Sequence, residues 1–126
     1  MEGSSKLSEV RESLRTNLVA FLIAPDPLQK FAKLQDILIL AKMSEIPVDD
    51  LEAQYLQALD SYALSRAPIR GATDYLAITL KTGFRIASRL FERMPRAILV
   101  KASEEASKKE IDLAELIKKL QRGEIV

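Results

Sequence analysis

Lys81, Arg85, Arg89 and Arg93 stand four residues apart in the stretch "LKTGFRIASRLFERMPR". On an α-helix that spacing stacks side chains along one face. A guanidinium presents a fixed fork of N–H donors that matches phosphate oxygens, and an ammonium adds a compact point charge. Such a row can hold a polyanion by its backbone, which gives affinity without reading bases. Little else in the chain points to chemistry. It has no cysteine and no histidine, which removes thiol nucleophiles, disulfides, imidazole bases and the usual zinc ligands together. Carboxylates, Lys, Tyr, Ser and Thr remain. They show no nucleophile–base pairing, no Asp/Glu cluster with ligand spacing and no cofactor motif, so the sequence reads as non-enzymatic.

The net charge of +1 conceals a segregation. Residues 1–65 carry a balance of −4, residues 66–101 one of +6 and residues 102–126 one of −1. Arg66, Arg70, Arg96 and Lys101 flank the row and extend the cationic surface at both ends. Three readings follow. The cations bind nucleic acid, with no Asn or Gln on their own helix to read adenine, so sequence-specific readout is disfavoured. Alternatively they pair with acids of a neighbouring helix, for which Asp49, Asp50, Glu52 and Asp60 are available, or simply face water. Or the acidic part of one copy meets the basic part of the next, a head-to-tail contact that propagates. The segment "RAPIRGATD" places a glycine and two arginines before a helix start, but it lacks the consensus of a phosphate-binding loop.

The elements that must position the row are helical. Leu, Ala, Ile, Glu, Lys and Arg dominate, and 48% of the 126 residues are hydrophobic, enough for a single folded domain over 1–126. Leu7, Val10, Leu14, Leu18 and Phe21 recur at the helical period, with Ser4 or Ser5 as a cap and "APDP" as the stop. Asp26 caps a second helix that has Pro27 at its first position. Its apolar face is Leu28, Phe31, Leu34, Leu38 and Ala41, widened by Ile37 and Ile39; Met43 and Met94 read as core or interface fillers. Asp49 with Glu52 reads as a capping box for a third helix ending near Ser65. Thr73 caps the fourth, which runs from about Asp74 to Met94 and is halted by Pro95. On a wheel at ~100° per residue, its Leu76, Leu80, Gly83, Phe84, Ala87, Leu90 and Phe91 share one side and the four cations take the other. The row spirals over about 18 Å, at ~1.5 Å per residue. Residues 96–106 fit either a helix or a short extended piece. Asp112 and Glu115 open a last helix and Gly123 closes it. Short connections between these segments imply an all-α fold, a compact bundle of five or six helices. "MEGSSKLSEV" is no signal peptide, and "LVAFLIA" and "ILILA" are too short to span a bilayer, which places the chain in the cytoplasm with no membrane partner. One Asn, no Cys and many Lys, Glu and Arg lean towards a thermophile.

With its size, its helix content, its lack of catalytic residues and the run "SRAPIRGATDYLAITLKTGFRIASRLFER", the chain resembles the small all-helical subunit of archaeal type I-A CRISPR effector (Cascade) complexes. It is similar in style to the small subunits of type III effectors. The resemblance implies several copies stacked within a crRNA-guided complex beside its other subunits. These copies would hold target or displaced DNA by its backbone while base pairing supplies recognition. No small-molecule substrate is implied. The charge pattern then assigns Lys81, Arg85, Arg89 and Arg93 as phosphate contacts, supported by Arg66, Arg70 and Arg96. The rival expectation is a helical interaction or scaffold module that binds no nucleic acid.

Overall fold

Asp26 turns the chain between its first two helices. Its Oδ1 accepts from the amides of Leu28 and Gln29 at 2.9 and 3.0 Å, and Pro27 fills the first helical position, where a missing N–H costs nothing. A computed structural model describes residues 2–68 and 74–123, with side chains from Lys6 onward. Among these residues the chain forms α1 (Glu2–Ile23), α2 (Pro27–Met43), α3 (Asp49–Arg66), α4 (Tyr75–Arg93), α5 (Arg96–Ser107) and α6 (Leu113–Gln121), and no strand. The fold is an all-α compact bundle, as the sequence implies. Residues 96–106, left open between helix and extended chain, are the helix α5.

One cluster of buried side chains draws on all six helices. It includes Leu14, Leu18 and Phe21 of α1, Leu34 and Leu38 of α2, Leu51 of α3, Leu90 and Phe91 of α4, Ile98 of α5, and Leu113 and Leu120 of α6. Burying each such side chain contributes about 1.5–3 kcal/mol. α1 packs on α2 and α5, α3 packs on α4 and α2, and α6 closes the bundle against α4, α5 and α1. Phe21 and Phe91 meet across the core with ring centroids 6.3 Å apart.

Polar groups inside the bundle are anchored to backbone carbonyls. Lys30 is only 2% exposed, and its Nζ donates to Phe21 O at 2.9 Å and Leu22 O at 2.7 Å. It thus satisfies orphan carbonyls in the last turn of α1 and places a cation at the negative end of the helix. Burial holds its pKa below the usual lysine range. The Tyr55 hydroxyl donates to Phe31 O at 3.0 Å, its ring stacks on Phe31 at 4.8 Å, and burial pushes its pKa up to about 12.

Two helix ends use an unexpected residue. After α2, the Glu45 amide reaches Lys42 O and the Ile46 amide reaches Ala41 O, with Glu45 at φ 67°. After α5, Glu110 does the same at φ 60°, and the Ile111 amide reaches Ala106 O. Both are Schellman-type stops with glutamate where glycine is the comfortable choice. Gly123, at φ 80° just past α6, is the expected stop.

Several local expectations change. α1 begins at Glu2, ahead of Ser4 and Ser5. Asp49 does not cap α3: it is the first helical residue, the N-cap Val48 offers no side-chain bond, and Asp49 and Glu52 both lie against Lys42 Nζ, at 3.3 and 3.2 Å. Leu28 and Ile39, assigned to the apolar face, and Met43, read as a core or interface filler, are 40, 48 and 57% exposed, which rules out the core for Met43. They share the side of α2 opposite Leu34, Ile37 and Ala41, the residues that face the core. Leu76 is exposed too, and burial along α4 starts at Thr79. Met94 is buried, as a core filler should be. Thr73 and the glycine of "RAPIRGATD" lie outside the described residues.

Candidate nucleic-acid interface

The α4 helix is fixed at its start by Asp74, whose Oδ1 accepts from the Ala77 amide at 3.1 Å. Its buried side, Gly83, Phe84, Ile86, Ala87, Leu90 and Phe91, packs into the bundle against α2, α3 and α6. Gly83 lets α2 approach closely: a Cβ there would stand 2.8 Å from Phe31 Cδ2. Thr79 Oγ1 donates to Tyr75 O at 2.8 Å and lies 3.4 Å from Ala58 O of α3, so even the polar residue on this side is satisfied. With that side buried, the opposite side has to face outward.

Lys81, Arg85 and Arg89 are exposed and make no ion pair or hydrogen bond with any described residue. Glu92, three residues from Arg89, does not pair with it. Arg93 behaves differently. Its two Nη atoms donate to the two carboxylate oxygens of Asp50 at 2.6 and 2.7 Å, and Nη1 also reaches Pro47 O at 2.9 Å. The Arg93 hydrogen bonds hold the Asp50 carboxyl down at about 2, and the same bonds raise Arg93. One quarter of the row is therefore neutralised within the chain. Of the four acids that could have reached the row, Asp50 alone does so among the described residues. Asp49 and Glu52 go to Lys42, and Asp60 stays exposed without an ion pair. Asp49 and Asp50 are thus each engaged by a cation of the protein. No group of three or more Asp or Glu among the described residues could hold a metal ion.

Beside the row runs a groove of about 280 Å³ between α3 and α4. Arg85, Arg89, Thr82 and Ile78 line it from α4, and Gln54, Gln57 and Ser61 line it from α3. No carboxylate is among the lining residues. Two guanidinium groups thus border neutral amides and hydroxyls, which can hydrogen-bond to sugar or base edges while the cations take phosphate. The α3 residues were missed in the sequence. Their positions at 54, 57 and 61, one helical face, are the signal that could have revealed them.

Arg66 ends α3 at the side where the chain leads into α4, with Nη1 3.4 Å from the Tyr62 hydroxyl. Arg96 is exposed at the start of α5, beyond the other end of α4. Arg70 lies outside the described residues. Among the described residues no helix is long and apolar enough to cross a membrane. Comparison with family models, curated proteins and solved structures gives no match to this chain.

Proposed function

We propose that the chain is a non-catalytic small subunit of a cytoplasmic, archaeal CRISPR RNA-guided effector complex, whose α4 face holds the backbone of target or displaced DNA. One observation carries the reading. Lys81, Arg85 and Arg89 form an exposed row with no protein partner among the described residues, beside a groove that no carboxylate lines. Guanidinium and ammonium groups kept free in this way suit phosphate oxygens, and the complementary crRNA would supply sequence recognition. Arg66 and Arg96 support the row from its ends, and Arg70 is a further candidate contact. Arg93, already bonded to Asp50, holds α3 against α4 and adds less charge than its neighbours. Several copies would assemble with the other effector subunits, the acidic side of one copy meeting basic residues of the next.

The test is the double charge reversal R85E/R89E. Binding of a fluorescein-labelled single-stranded oligonucleotide should fall at least tenfold while the helical circular dichroism stays unchanged. Equal binding by the variant contradicts the proposal.

The exposed apolar side chains favour a second reading. Ile39 and Met43, one turn apart on α2, are 48 and 57% exposed, and adjoining exposed apolar side chains mark partner sites. In that reading the chain is a helical scaffold module without nucleic-acid binding, and its cations meet acidic side chains of a partner. Salt-sensitive self-association in light scattering, with no oligonucleotide binding, would support this reading over the first.

A further inference from the structure

A second cationic site lies away from α4. Between the first half of α1 and the start of α5 is a cleft of about 650 Å³, within the size range of small-molecule pockets. No residue of α4 lines this cleft, so it is separate from the row. Its apolar lining includes Leu7, Pro95 and Ile98. Its polar lining is Ser8, Arg11, Arg15 and Lys101, with Glu12 as the one acid. Glu12 stands 3.6 Å from an Arg15 Nη, and Arg15 Nε donates to Glu105 Oε2 at 3.1 Å. Arg15 is therefore tied down by two carboxylates. Arg11 on α1 and Lys101 on α5 make no ion pair or hydrogen bond with any described residue. Two unpaired cations thus come from the two helices that form the cleft, beside a third cation that is already fixed.

We infer that this cleft binds a phosphate monoester whose attached body is partly apolar, a class for which a nucleoside monophosphate serves as the probe. A monocarboxylate is satisfied by one guanidinium, whereas a phosphate monoester has three acceptor oxygens and close to two negative charges, enough for Arg11, Lys101 and Ser8 together. The apolar part of the cleft gives the attached body a surface from which to exclude water. The compound is bound as a ligand, with no reaction implied, and the inference stands apart from the reading of α4.

The test is calorimetric titration of the full chain with AMP, inorganic phosphate and adenosine. AMP should bind saturably. Inorganic phosphate should bind at least tenfold more weakly, and adenosine should not bind measurably. R11A/K101A should lose at least tenfold in AMP affinity, and R85E/R89E should lose nothing. Absence of saturable AMP binding overturns the inference, as does an R11A/K101A variant that binds like the parent. Adenosine binding as well as AMP excludes the phosphate contact. Phosphate binding as well as AMP excludes the apolar one. Loss of AMP binding in R85E/R89E relocates it to α4 and overturns the site.

Discussion

Arg93 grips Asp50 with both Nη atoms, at 2.6 and 2.7 Å, across the α3–α4 packing. The pair joins the most extensively packed helices of the bundle and takes one cation out of the exposed row. Its pH dependence has a definite sign. The Asp50 carboxyl is depressed from 3.8 to about 2 in the folded chain. Its contribution is therefore complete above the unfolded value and is lost as pH falls through the folded one. Chemical denaturation at pH 5 and at pH 2 should show the parent losing more stability on acidification than R93A, whose Asp50 no longer has the partner that depresses it.

Releasing Arg93 should also strengthen the row. In D50A the guanidinium is free to take a phosphate, so oligonucleotide affinity rises at low salt. The log–log salt slope should steepen by about 0.7, the contribution of one additional single-strand phosphate contact. Filter binding across a salt series measures both.

Lys30 should reveal itself through alkaline stabilisation. Its pKa is lowered by burial, so between that lowered value and 10.5 the unfolded chain binds more protons than the folded one, and stability rises with pH over this interval. K30M removes both the titration and the two donors to Phe21 O and Leu22 O. Leaving buried carbonyls unpaired costs about 1–3 kcal/mol each. K30M should thus be less stable than the parent at pH 7, and the gap should widen at pH 10. Urea denaturation at the two pH values decides this.

Gly83 should resist alanine. Alanine gains about 1 kcal/mol of helix propensity, but its Cβ would stand 2.8 Å from the Phe31 ring. That ring is held by Tyr55 stacked 4.8 Å away, and overpacking of this kind costs about 1–3 kcal/mol. G83A should therefore lower the thermal midpoint. Glu45 should show the opposite behaviour: at φ 67°, replacement by glycine relieves about 1 kcal/mol of left-handed strain, so E45G should raise the midpoint.

These residues also show how far the sequence could be read. Asp26 with Pro27, Asp112 and Gly123 mark helix ends through local bonding, and local bonding is written in local sequence. The outward side of α4 was legible for the same reason, since a 3.6-residue period needs no knowledge of neighbours. The partner of Arg93 was not, because Asp50 lies 43 positions away and four acids were within plausible reach. Gln54 and Gln57 were passed over because their relevance comes only from α3 lying beside Arg85 and Arg89. Ile39 was misplaced because its apolarity is visible in the sequence, while the absence of a helix over that side of α2 among the described residues is not.

The central claim is that Lys81, Arg85 and Arg89 hold a nucleic-acid backbone. The salt dependence of single-strand binding tests it most directly. Three phosphate contacts at about −0.7 each give a log–log slope of about −2, and K81A/R85A/R89A should flatten it to near zero. A parent slope near zero, or a slope of about −2 that survives in the triple variant, contradicts the account.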